Sequence, residues 1–189
     1  MGILRKIKTV LFVSLRIWKY KALSDCNSVS GTPEIAYPVL LKGAGSIRFG
    51  NKVKIGVELS PGFYSGYGYI EARNPESSIE IGNNVRLNNG FSMVALQKIT
   101  VGDNVLVGLN FVVSDSDFHH LKPSERFHQN PPSEQVSIGN NVFIGSDVTV
   151  LKGVTIGDNS VVGSNSVVTK NVPDNVIVAG NPARIIREL

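Results

Sequence analysis

All three histidines of this 189-residue chain lie in the eighteen-residue stretch FHHLKPSERFHQNPPSEQ, from Phe118 to Gln135. An imidazole takes up and returns a proton near neutral pH, so His119, His120 and His128 are the side chains best suited to acid–base chemistry. Asp115, Asp117 and Glu125 stand close to them in the sequence. A histidine alone in a polar loop is more often simply exposed. Three histidines can also hold a catalytic zinc that keeps one position open for water. Here they crowd into one segment, two of them adjacent. Thirty residues before His119, Leu87-Asn88-Asn89-Gly90 offers a second polar group, although Asn-Asn-Gly is also ordinary turn chemistry.

The histidine stretch interrupts a repeat. From Val136 the chain reads VSIGNN, VFIGSD, VTVLKG, VTIGDN, SVVGSN, SVVTKN, with Ile or Val at every sixth place: Ile138, Ile144, Val150, Ile156, Val162 and Val168. The same frame appears in IEIGNN, VRLNNG, FSMVAL and, after a two-residue shift, in ITVGDN, VLVGLN, FVVSDS; RFGNKVKIG at 48–56 is an opening copy. A period of six is incompatible with an amphipathic helix. Within each unit the apolar residues alternate as in a strand, and the Gly-Asn, Gly-Asp and Asn-Asn pairs supply turns with positive φ. Short strands with a turn every six residues describe a coil whose stacked turns pair in parallel and bury aliphatic ladders. An antiparallel β-sandwich would space its turn signals more widely. Polar chemistry has little room inside such a coil and belongs in the loops that interrupt it.

This aliphatic-Gly-x-x-small-x pattern resembles the hexapeptide-repeat acyltransferases over about residues 47–187. The resemblance implies an all-β fold, a left-handed parallel β-helix with three hexapeptides per triangular coil. The segment DSDFHHLKPSER is similar to the active-site stretch of the maltose, galactoside and related sugar O-acetyltransferases, with His119, Leu121, Pro123 and Glu125-Arg126 in matching places. Lys122 stands where those enzymes commonly carry an acid. His119 is then the general base that takes a proton from an attacking hydroxyl. Asp117 and Glu125, with Asp115 behind them, are candidates for the acceptor that sets its tautomer. Either Asn88 or Asn89 takes the place of the family's functional Asn, which binds the acceptor or the acetyl group. VVTKNVPDNVIVAGNPARIIREL is similar to the family's closing, CoA-binding motif. By that likeness Ser146 and Ser164 meet the pantetheine arm, while Thr169, Lys170, Arg184 and Arg187 lie where cations suit the CoA phosphates. A short helix is expected after Asn181-Pro182.

Acetyl-CoA is the co-substrate this resemblance implies, with no catalytic metal. A zinc enzyme such as a γ-class carbonic anhydrase spreads its histidines over separate coils and lacks this ending. The expected activity is acetyl transfer to a sugar hydroxyl in capsule, exopolysaccharide or lipopolysaccharide synthesis. Alternatives on the same fold are a xenobiotic, antibiotic or amino-sugar N-acetyltransferase and a non-catalytic scaffold. The resemblance also implies a homotrimer with sites between subunits.

The formal charge of +4 is unevenly placed. Residues 1–24 carry Arg5, Lys6, Lys8, Arg16, Lys19 and Lys21 and no acid; the rest has 13 bases against 15 acids. The basic character therefore belongs to the N-terminus, and no nucleic-acid partner is expected. Wound as a helix, Leu4, Ile7, Leu11, Leu15 and Trp18 share one face, and Arg5, Lys8, Arg16 and Lys19, with Phe12, another. That pattern fits either a helix on an anionic membrane, through residues 3–22, or one packed on protein. Cations interrupt the apolar run at 10–13, which makes it neither a signal peptide nor a spanning helix. One cysteine, Cys26, leaves no internal disulfide. The expected division is an N-terminal extension at 1–46, a β-helix at 47–180 with its loop at 118–135, and a terminal segment at 181–189. The expected location is the cytoplasm, extending to the inner face of the membrane.

Overall fold

A computed structural model describes residues 7–189. Leu4 and Arg5 of the N-terminal pattern lie outside those residues. Three parallel sheets form the sides of the coil, and the chain visits them in rotation. The first side stacks Ser28–Ser30, Ser46–Phe49, Ser78–Ile81, Lys98–Val101, Val136–Ile138 and Thr155–Ile156. The second runs from Glu34–Ile35 through Arg86–Leu87 and Val161–Val162 to Val176–Gly180, and the third from Val39–Lys42 to Val167–Val168.

Alternation explains the burial. The sixth-place aliphatics point inward and stack: Ile55, Leu87, Val107, Ile144, Val162 and Val178 on the second side, and Ile70, Met93, Val113, Val150 and Val168 on the third, all at most 5% exposed. Where the repeat is regular, partners lie eighteen residues apart, as in Ile138 beside Ile156, three hexapeptides per coil. The corner after the first side is built from Asx residues. Asn83, Asp103, Asn140, Asp158 and Asp174 each accept, on the side-chain oxygen, the backbone N–H of the corresponding residue one coil earlier, at 2.6–2.9 Å. The next residue in each of these corners, Asn84, Asn104, Asn141, Asn159 and Asn175, has φ of 55–59°, a conformation that asparagine tolerates.

Two boundaries differ from expectation. The coil begins at Ser28, not at 47: Val29 pairs with Ile47, Ile35 with Ile55 and Val39 with Gly68, all in parallel. This first coil lacks the Gly-Asn punctuation that marks the later ones, so its alternation alone carries the signal. The ending is not a helix. Ala183–Glu188 is a strand that reverses direction and pairs antiparallel with Val176–Gly180. It satisfies the open edge of the last second-side strand, which outweighs helix formation by so short a segment. At the other end a helix runs from Ile7 to Leu23, with a π-helical stretch at Val10–Ser14 and an α-helix at Leu15–Leu23.

Candidate active site

The histidine loop emerges at the corner after the third side, beyond Val112–Ser114, and its base is tied. Ser116 and Ser133 form an antiparallel bridge, the Ser116 hydroxyl donates to the Pro132 carbonyl (3.1 Å), and the Glu134 N–H donates to the Asp115 carbonyl (2.8 Å). Gln97 adds two bonds, from Nε2 to the carbonyl and hydroxyl of Ser133, both 2.8 Å. The tip is bare, with Leu121 at 75% and Phe127 at 97% exposure.

Asp115 explains how the coil absorbs the two-residue shift in the repeat. Ile79 pairs with Ile99, twenty residues on, so Leu96 and Gln97 are two residues more than a regular coil holds. The fully buried Asp115 carboxylate accepts the N–H groups of Leu96 (2.7 Å), Gln97 (2.7 Å) and Lys98 (2.8 Å). Its role is to hold the corner next to the loop, and both its oxygens are occupied in doing so.

His119 Nδ1 lies 3.1 Å from the Arg126 carbonyl oxygen. A carbonyl only accepts, so a neutral ring carries its proton on Nδ1 and presents the lone pair of Nε2. Neither expected carboxylate does this work. Asp117 faces Lys152, with Oδ2 2.8 Å from Nζ but without hydrogen-bond alignment. Glu125 contacts Lys122 (3.3 Å) and lies 3.9 Å from His120 Nδ1. A backbone carbonyl seven residues along the loop is invisible to reasoning from side-chain types. His120 Nε2 meets the Gln129 carbonyl at 3.2 Å. Among the described residues no group of three or more His, Cys, Asp or Glu side chains is placed to hold a metal.

Four participants, Phe118, Arg73, Glu71 and Tyr69, were assigned no role from the sequence. His119 lines an open groove of about 490 Å³ with Arg73, Asn74, Phe118 and the loop from Arg126 to Pro131. Phe118 sits at φ 59°, unusual for a bulky residue, and its N–H donates to the Ser116 hydroxyl (3.0 Å). The Arg73 guanidinium stands 4.9 Å from the centre of the Phe118 ring. Glu71 grips Arg73 through two bonds (3.0 and 2.8 Å) and accepts the Tyr69 hydroxyl (2.9 Å). Arg73, foremost, holds the Glu71 carboxyl below its ordinary range; burial, then the bond to Glu71, pushes the Tyr69 phenol up to about 12. Arg73 belongs to the irregular first half of the repeat, 45 residues from Phe118, where no spacing marks it.

Asn88 and Asn89 separate clearly. Asn89 is 1% exposed; its Oδ1 accepts the Val57 N–H (3.1 Å) and its Nδ2 donates to the carbonyls of Val57 and Pro61 (both 3.1 Å). It anchors the 57–67 insertion. Asn88 is half-buried and donates to the Ser60 hydroxyl at 3.0 Å. Both lie at the corner after the second side, whereas His119 lies after the third, and the His119 groove includes neither.

The residues matched to CoA binding also divide. Ser146 and Ser164 stack at the second-side corner, Ser146 Oγ accepting the Leu109 N–H (3.2 Å) and Ser164 Oγ the Ser146 N–H (3.1 Å). Gly108 and Gly145 there leave no room for a Cβ, which would fall 2.6 Å from the backbone of the next coil. The result is a flat strip of small residues. Thr169 and Lys170 follow the third side, where Lys170 and Arg184 share a hollow of about 360 Å³. Thr169 and Arg187 are exposed and stand apart from that hollow.

A model of the bacterial transferase hexapeptide family, built of six repeats, matches residues 135–170. The chain is 41% identical over 134 residues to galactoside O-acetyltransferase of Escherichia coli, covering 69% of this chain but only 60% of that relative. It is 32% identical over 162 residues to the putative lipopolysaccharide biosynthesis O-acetyl transferase WbbJ of Escherichia coli, covering 82% of this chain and 78% of the relative. The chain belongs to the hexapeptide transferase family. A solved galactoside acetyltransferase in complex with coenzyme A superimposes with a TM-score of 0.56 at 45% identity, over 58% of this chain and 55% of that one. With the family comes the hand of the coil, which is a left-handed parallel β-helix.

Proposed function

We propose that the protein transfers the acetyl group of acetyl-CoA to a sugar hydroxyl, with His119 as general base. The His119 Nδ1 bond to the Arg126 carbonyl carries this reading, because it leaves Nε2 able to accept a proton beside an open groove. Nε2 takes the hydroxyl proton as the new C–O bond forms and returns it to the departing sulfur as the C–S bond breaks. Asp117 and Glu125 then act on the loop rather than on the imidazole. Lys170 and Arg184 are the cations suited to CoA phosphates, and the strip at Ser146 and Ser164 suits the pantetheine arm.

The second-side and third-side corners occupy different edges of one coil. Asn88 and the serine strip can meet His119 only if the loop of one copy lies against the second-side corner of another. A homotrimer closes that arrangement around a threefold axis. The bare Phe127 at the loop tip fits a contact of this kind. The names of the relatives support a sugar or glycan acceptor, and a lipid-linked glycan at the inner face of the membrane is the class we favour. Thiol release from acetyl-CoA in the presence of nucleotide sugars, free sugars and glycans tests the reading. Acceptor-dependent release that is lost in His119→Ala supports it, and release unchanged by that substitution refutes the assignment of the base.

A further inference from the structure

We infer that the N-terminal helix is a docking surface for an anionic lipid bilayer. An amphipathic helix ordinarily packs its apolar stripe on the protein core. This one does the reverse. Its half-buried residues are Val13, Arg16, Ile17 and Tyr20, spaced three and four apart on the side turned to the coil. They attach it by polar and aromatic contacts. Arg16 donates to the Phe63 carbonyl (2.9 Å) and the Gly66 carbonyl, and Tyr20 stacks on Tyr67 with ring centres 4.4 Å apart. The opposite side carries Ile7, Leu11, Leu15 and Trp18, exposed by 49, 51, 51 and 69%. The described residues of the stripe recognised in the sequence therefore point away from the protein.

Charge identifies what covers it. At 100° per residue over the α-helical part, Lys19 flanks this stripe on one side and Lys21 on the other, and residues 1–24 contain no acid. Apolar residues with tryptophan at the centre and lysines at both margins match the boundary between acyl chains and anionic headgroups. A second copy of the same face would bring lysines against lysines. Among the described residues no helix is long and apolar enough to cross a membrane, so the contact is with the surface.

Trp18 is the sole tryptophan of the chain, so intrinsic emission reports on this face directly. The full chain is titrated with vesicles of phosphatidylcholine alone and with about one-third phosphatidylglycerol. A blue shift and co-sedimentation with the anionic vesicles only, weakened roughly twenty-five-fold in Lys19→Ala/Lys21→Ala at about fivefold per lysine, is the expected result. Leu11→Glu/Leu15→Glu, at exposed positions, should abolish binding while leaving the circular dichroism unchanged. No shift with anionic vesicles, or equal binding to both kinds, overturns the proposal. So does a concentration-dependent blue shift without lipid, which would place a second copy on the face. None of these readouts depends on transferase activity.

Discussion

Two corners of the coil solve the same problem in opposite ways. After the first side, each coil supplies one Asx oxygen to one amide of the coil before it, and the device recurs from Asn83 to Asp174. After the third side, one buried carboxylate, Asp115, serves three amides at once and occurs once. The repeated corner spreads its stabilisation over many weak, replaceable bonds. The single corner concentrates it, and the loop that carries His119 begins three residues later. The two-residue shift and the histidine loop thus share one corner, held by one side chain.

The largest effect expected from breaking this contrast is chemical. His119→Ala should lower acetyl transfer by about 10²–10⁴-fold, with no change in thermal midpoint, because its side chain bonds only to a loop carbonyl. Asp115→Ala is next. It removes the buried acceptor of three part-buried N–H groups at once, so a loss of roughly 3–5 kcal/mol is expected in denaturant unfolding. Asn140→Ala, in the repeated corner, should cost only about 1 kcal/mol, since its bonds are exposed and solvent replaces them. Equal losses at Asp115 and Asn140 would erase the distinction between the corners. Arg73→Ala should remove about 0.5–1 kcal/mol of cation–π contact and slow transfer by less than about tenfold, through Phe118 and not through the chemistry.

The smallest expected effect is on pH dependence. Glu71, its carboxyl lowered first by the hydrogen bond from Arg73, stabilises the fold fully above its ordinary value of 4.5. That stabilisation is lost as the pH falls through the lowered value. Glu71→Gln should therefore lower stability slightly near neutrality and flatten the acid limb of the profile, the two proteins converging at low pH, as a series of melts from neutral to acidic buffers would register.

How much of this was legible in the sequence depended on the range of the interactions. The sixth-place aliphatics, from Ile138 to Val168, announce their ladder because each occupies the same place in its own hexapeptide. Asn in the corners is legible for the same reason, since positive φ restricts residue choice locally. The first coil was missed because Val29, Ile35 and Val39 make long-range pairs without local turn signals. The terminal strand was missed because its partner edge exists only once the coil is built. At the site, the residue type of His119 was informative, whereas its bond to a main-chain carbonyl was not, and Arg73 reaches Phe118 across an irregular coil. Asn88 and Asn89 were indistinguishable as letters; burial against the 57–67 insertion separates them.

The reversed strand at Ala183–Glu188 has a consequence for solubility. A stack of near-identical coils has no intrinsic stopping point, and an open parallel edge at its end is a template on which another molecule could continue the stack. By folding back antiparallel, the last residues present a strand of the wrong direction to any incoming coil on that side. The reversed strand thus acts as a direction-selective cover on that edge, and removing residues 183–189 should raise end-to-end self-association, as light scattering would register.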